Sequence, residues 1–148
     1  MENSQDPKAL AAEAAAVIAD LTGVANHDIA LTLGSGWGKA ADVIGETVSV
    51  LDAEQVPGFH TSGVPGHSGT LKSIRLENDK HALVIGARTH FYEGRGVRAV
   101  VHGVRTAAAT GAKIMVLTNG AGGVNPNYAP GQPVLIRDHI NLTAASPL

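Results

Sequence analysis

Three side chains suited to anions and sugars stand at alternate positions in the stretch "ARTHFYEGRG": Arg88, His90 and Tyr92. Along an extended strand, alternate side chains share a face. A guanidinium, an imidazole and a phenol then form one row, while Ala87, Thr89 and Phe91 take the apolar side. Such a row is costly to desolvate unless a ligand or an opposite charge answers it. An arginine beside a hydrogen-bonding histidine matches a pair of phosphate oxygens, and a tyrosine hydroxyl can donate to a sugar. The competing reading is a solvent-facing edge strand with ordinary polar residues. Glu93 follows at once.

Three other stretches offer donors. In "GSGWG", Gly34 and Gly36 permit a tight turn and Ser35 adds a hydroxyl. The turn is neither a dinucleotide fingerprint, since Lys39 stands where a third glycine belongs, nor a phosphate-cradling P-loop, since the lysine–hydroxyl pair is absent. "PGHSG" places His67 between glycines, within a loop over residues 55–70 rich in Pro, Gly, Ser and His. "TNGAGGVNP" runs from an apolar strand into Asn119, Gly120, Ala121 and Gly122. Backbone N–H groups of Gly120 or Ala121 can face an anion there. Taken singly, each of the three is also consistent with a plain turn or loop.

The elements that position these residues follow from periodicity. Residues 7–22 read as a helix with Asp6 as N-cap, Pro7 in the first turn and Gly23 just past the end. Strands are expected at 29–33, at 46–51 and at 71–76, the last joined through a turn at 77–80 to a strand starting near His81. A short helix is expected over 37–44. Residues 96–111 read as an amphipathic helix whose apolar stripe is Val97, Val100, Val101, Val104 and Ala108, with Arg98, His102 and Arg105 off it. "KIMVLTN" reads as a buried strand and "PVLIRDHINLT" as the last of about six. The class is α/β: a mixed, largely parallel central sheet flanked by helices, in a single domain spanning 1–148. The Ser35 turn, the Arg88 stretch and the Asn119 loop all follow the carboxyl ends of apolar strands, where α/β folds hold ligands. The His67 loop can fold over them.

Bulk properties narrow the classes. Apolar residues make up 44%, enough for a core, and the net charge of −2 argues against a nucleic-acid-binding face. Without cysteine there is no disulfide or thiolate metal site. No stretch is long and apolar enough to span a bilayer, and the amino terminus lacks a signal peptide's pattern, so a cytoplasmic location is expected, with no membrane partner. The helix count is low for the number of strands, which favours a piece of a longer polypeptide.

With "GSGWG", "VPGHSG", "RTHFYEG", "LTNGAGGVNP" and "LIRDHINL" in that order, the chain resembles the amino-terminal half of a trimeric, guanosine/inosine-preferring purine nucleoside phosphorylase, from about Asp28 to Leu148. The resemblance implies phosphorolysis: inorganic phosphate is a co-substrate, and no organic cofactor or metal is used. It implies that Ser35, His67, Arg88, His90 and Gly120 surround phosphate and that Tyr92 contacts ribose. Glu93 lies near the phosphate, and Asn119 opens the loop of Gly120, Ala121 and Gly122 that borders phosphate and base. His90, Tyr92 and Glu93 are the implied catalytic group, and the full-length partner is a second and third copy in a homotrimer.

Two departures from the family pattern are small: Gly120 stands where some members carry alanine, and Trp37 replaces a common leucine. A larger one is that the family's purine-binding glutamate and asparagine, a further phosphate-contacting serine and an aromatic from a neighbouring subunit fall beyond Leu148. The 148-residue chain alone is therefore expected to be inactive and the complete polypeptide active. Two alternatives stand beside this reading: a methylthioadenosine phosphorylase, which has the same site plan, and a non-catalytic phosphate- or nucleotide-binding fragment.

Overall fold

The computed structural model describes residues 6–60 and 69–147. Helix α1 (Pro7–Thr22) is capped as its sequence demands. Asp6 accepts a bond from the Lys8 N–H at 3.1 Å, and Gly23, at φ 71°, donates its N–H to Ala19. The buried residues Ala11, Ala14, Ala15 and Ile18 recur at helical spacing and form the face that meets the core.

Five strands follow: β1 (Ile29–Thr32), β2 (Glu46–Asp52), β3 (Thr70–Arg75), β4 (His81–Ile85) and β5 (Ile114–Leu117). They form one mixed sheet in the order β2-β3-β4-β1-β5. β2, β3 and β4 pair antiparallel, with the expected hairpin between β3 and β4. β1 lies parallel between β4 and β5. Side-chain alternation splits β4 between two cores. Leu83 and Ile85 pack with Ile18, Leu51, Phe59 and Leu71, while Ala82 and Val84 pack with Ile74 and Ala41 on the opposite face.

Several expectations change. The helix over 37–44 is a five-residue 3-10 turn, Gly38–Asp42. The helix over 96–111 is two, α2 (Gly96–Val100) and α3 (His102–Ala109), parted at Val101. Its buried face is also different: His102, Thr106 and Ala107 are buried, whereas Val104 is exposed. The ring of His102 packs edge-on against Phe59 and its Nε2 lies 2.9 Å from the Pro57 carbonyl oxygen, so a polar residue finds partners inside. The strand "KIMVLTN" exists but is not buried. β5 is at the sheet edge, with Ile114 58% and Leu117 61% exposed. "PVLIRDHINLT" forms no strand, and Leu135, Ile140 and Leu142 are almost wholly exposed. A strand needs a neighbour for its backbone groups, and none among the described residues runs beside it.

In the connection before β1, His27 is 1% exposed and its Nε2 sits 2.9 Å from the Ser73 hydroxyl. Burial first, then the nearby His81 charge, lowers its pKa to about 4. The unfolded chain binds that proton near pH 6.5, so it takes up protons the fold excludes. This contribution is complete above about pH 6.5 and is lost as pH falls from there towards 4, by up to about 3 kcal/mol. Urea midpoints measured from pH 7.5 to 4 should fall accordingly. The slope should flatten in His27→Gln relative to the parent; an unchanged slope would remove His27 from the account.

Candidate active site

Three parallel strands deliver their carboxyl ends to one rim. β1 ends at Thr32 and leads through Leu33 into the Gly34–Ser35 turn. β4 ends at Ile85 and leads to Arg88. β5 ends at Leu117 and leads into the Asn119 loop. Thr32, Arg88 and Leu117 line one cleft of about 250 Å³, together with Ala87, Thr89 and His102.

The first and third rim segments are tied directly. The Gly34 N–H donates to Thr118 Oγ1 at 2.8 Å, and Thr118 Oγ1 donates to the Thr32 carbonyl at 3.2 Å. Gly34 is forced by proximity: a Cβ there would lie 2.4 Å from the Thr118 carbonyl oxygen. Gly120 comes next to Ser35, since a Cβ on it would lie 3.4 Å from the Ser35 carbonyl oxygen. Asn119, Gly120, Ala121 and Gly122 are exposed along an irregular loop.

The Arg88 stretch does not continue as strand. After Ile85 the backbone leaves the ladder, and Phe91–Glu93 is one 3-10 turn closed by Gly94 at φ 75°. Strand alternation therefore fails for Tyr92, and Phe91, expected on the packed side, is 47% exposed. The grouping survives by another route. The His90 and Tyr92 rings stack 4.9 Å apart at 20°, and Arg88 Nη2 lies 2.9 Å from His90 Nε2.

Glu93 organises this cluster. Its Oε1 accepts from the His90 backbone N–H at 2.7 Å and lies 2.8 Å from His90 Nδ1. Its pKa is lowered, first by the His90 backbone bond, then by the His90 ring, with Arg95 contributing from 3.9 Å. The carboxylate accepts, so Nδ1 carries the hydrogen. Arginine only donates, so Nε2 of a neutral ring accepts from Arg88. Arg88 is thereby aimed, and its buried Nε has no hydrogen-bond partner among the described residues. A guanidinium held in this way, with a donor to spare at the carboxyl rim of a parallel sheet, is chemically suited to receive an anion.

Of the residues expected at the site, the structure brings Arg88, His90, Tyr92 and Glu93 into one cluster and sets Ser35 beside Gly120. His67 lies outside the described residues. Thr32 and Thr118 were missed. The available signal was a threonine directly preceding Asn119, whose hydroxyl at a strand end must find a partner.

The chain has known relatives. A profile of the Phosphorylase superfamily matches residues 28–148. The chain is 57% identical over 147 residues to a purine nucleoside phosphorylase from Cellulomonas sp, covering 97% of this chain and 52% of that one. The chain belongs to the phosphorylase superfamily. A second relative, the purine nucleoside phosphorylase of Mycobacterium tuberculosis, is 51% identical over 143 residues, covering 97% of this chain and 53% of its own length. Among solved structures, purine nucleoside phosphorylase from Schistosoma mansoni in complex with inosine superposes with a TM-score of 0.69 at 30% identity, over 82% of this chain and 41% of that one. The chain thus spans about half the length of the phosphorylases it matches.

Proposed function

We propose that this chain supplies the phosphate- and ribose-facing half of a purine nucleoside phosphorylase site, and that the complete polypeptide cleaves inosine, guanosine and their deoxy forms. A phosphate oxygen attacks the anomeric carbon as the bond from that carbon to the purine nitrogen breaks. The products are ribose 1-phosphate and the base, which leaves with a proton on its ring nitrogen. The transition state carries positive charge on the sugar, so a bound phosphate is both nucleophile and counter-charge. Arg88, Ser35 and the Gly120 amide hold the phosphate; His90, locked by Glu93, aims Arg88. His67 is assigned to the same ligand. Tyr92, stacked on His90, presents its hydroxyl to the ribose. Asn119, Ala121 and Gly122 border the base. The inosine held by the Schistosoma mansoni neighbour supports this choice of substrate class.

The observation that carries this reading is that Thr118 stitches the Gly34–Ser35 turn to the start of the Gly120 loop, beside a cleft that Arg88 lines with Thr32 and Leu117. The complete polypeptide is further proposed to be a cytoplasmic homotrimer that uses phosphate and no organic cofactor. Among the described residues, no helix is long and apolar enough to cross a membrane. Incubating the complete polypeptide with inosine should release hypoxanthine only when phosphate is present, with ribose 1-phosphate in equal amount. Release of free ribose without phosphate would mean hydrolysis and would contradict the proposal. The 148-residue chain alone should show no turnover.

A further inference from the structure

Thr118 does more than follow a strand. Its hydroxyl accepts the Gly34 N–H at 2.8 Å and donates to the Thr32 carbonyl at 3.2 Å, while its own N–H donates to the same carbonyl at 3.0 Å. One hydroxyl therefore joins the end of β1, the turn after it and the loop after β5. Both of its hydrogen-bonding roles are used, and they are roles only a hydroxyl can combine at that spot. The loop's approach is independently visible in the glycines. Gly34 is pressed against the Thr118 carbonyl with no room for a side chain, and Gly120 is in contact range of Ser35. Ser35 follows Gly34 directly and Gly120 lies two residues past Thr118. The distance between the Ser35 hydroxyl and the Gly120 amide is thus governed by the Thr118 bond.

We propose that Thr118 is a positioning residue for the anion site, setting the Ser35 turn and the Gly120 loop at the spacing that lets both donate to one phosphate. The proposal rests on the phosphate reading given above. Thr118 touches no substrate. It acts through the Gly34 N–H, which, left without its acceptor, turns towards solvent and carries Ser35 with it. A hydroxyl at this position is sufficient and the methyl is dispensable, so serine keeps the function and the isosteric valine loses it.

The test is phosphate binding by the 148-residue chain, followed by NMR, in the parent, Thr118→Val and Thr118→Ser. Valine should weaken phosphate binding by about tenfold, the loss expected for one mispositioned charge-assisted donor. Serine should stay within about threefold of the parent. Hydrogen exchange at the Gly34 amide should accelerate in the valine variant and not in the serine variant, a change that loss of overall stability alone would not confine to one amide. Parent-like binding by Thr118→Val, or equal weakness in Thr118→Ser, overturns the positioning role and leaves the phosphate reading intact. A parent chain that binds no phosphate overturns the phosphate reading and the positioning role with it. In the parent alone, phosphate should shift the Gly34 and Ser35 amide resonances with one midpoint. A Gly34 amide indifferent to saturating phosphate overturns the proposal without any variant.

Discussion

Replacing Arg88 with alanine in the complete polypeptide should reduce phosphorolysis by about 10²–10³-fold, the scale of losing one preorganised charge-stabilising group. The reasoning begins with the side chain's fixed orientation. Arg88 Nη2 is held 2.9 Å from His90 Nε2, and His90 is held in turn by two contacts to Glu93. A guanidinium is always charged and its donors form a rigid fork, so an anion meets it with little reorganisation. Alanine removes both the charge and the fork, and the loss should appear as a raised KM for phosphate together with a lowered kcat. Arg88→Lys should recover only part, because an ammonium is a point charge that cannot bond two oxygens in one plane. Steady-state rates at varied phosphate, with melting curves to confirm folding, check this. Activity within threefold of the parent would remove Arg88 from the site.

The second large effect is expected at Gly34. A Cβ there would lie 2.4 Å from the Thr118 carbonyl oxygen, 2.9 Å from Asn119 Cα and 3.0 Å from the Thr118 carbonyl carbon. All three are backbone atoms, which cannot swing aside as a side chain would. Gly34→Ala must push apart the two segments that Thr118 ties together, at a cost of about 1–3 kcal/mol. The melting temperature should fall by several degrees, and phosphate affinity should fall by more than tenfold because Ser35 moves away from Gly120. Gly38→Ala is the control. No heavy atom lies within 4 Å of a Cβ there and its backbone needs no positive φ, so both quantities should stay near the parent. Equal behaviour of the two variants would mean that the close approach at Gly34 has no consequence.

The parts of the fold legible in the sequence are those fixed by local rules. The capped first helix, the β3–β4 hairpin and the strand before the glycine turn need only their own residues to specify them. The candidate rim was legible for a similar reason. Strand ends followed by glycine or by Arg88 mark a rim whichever way the rest of the sheet is arranged. What failed depended on partners. β5 reads as buried because its residues are apolar, yet its outer edge has no described neighbour, and the "PVLIRDHINLT" segment has no strand to pair with. This chain covers 52% of the length of the Cellulomonas relative. The stripe on α3 failed differently. His102 and Thr106 are inside because the Pro57 carbonyl and the Phe59 ring are there to receive them, and no periodicity of apolar residues can announce that. The Arg88 row was grouped correctly for the wrong geometric reason. A 3-10 turn and a Glu93 clasp, not strand alternation, bring His90 and Tyr92 together.

The most direct measurement is an NMR titration of the isotope-labelled chain with inorganic phosphate. It follows the Ser35 and Gly120 amides and the Arg88 Nε–H, the donor that has no partner among the described residues. All three should move and saturate with a single dissociation constant, while the solvent-facing amides at the start of α1 stay still. Three unrelated midpoints, or shifts confined to exposed lysines, would show that these groups do not share an anion.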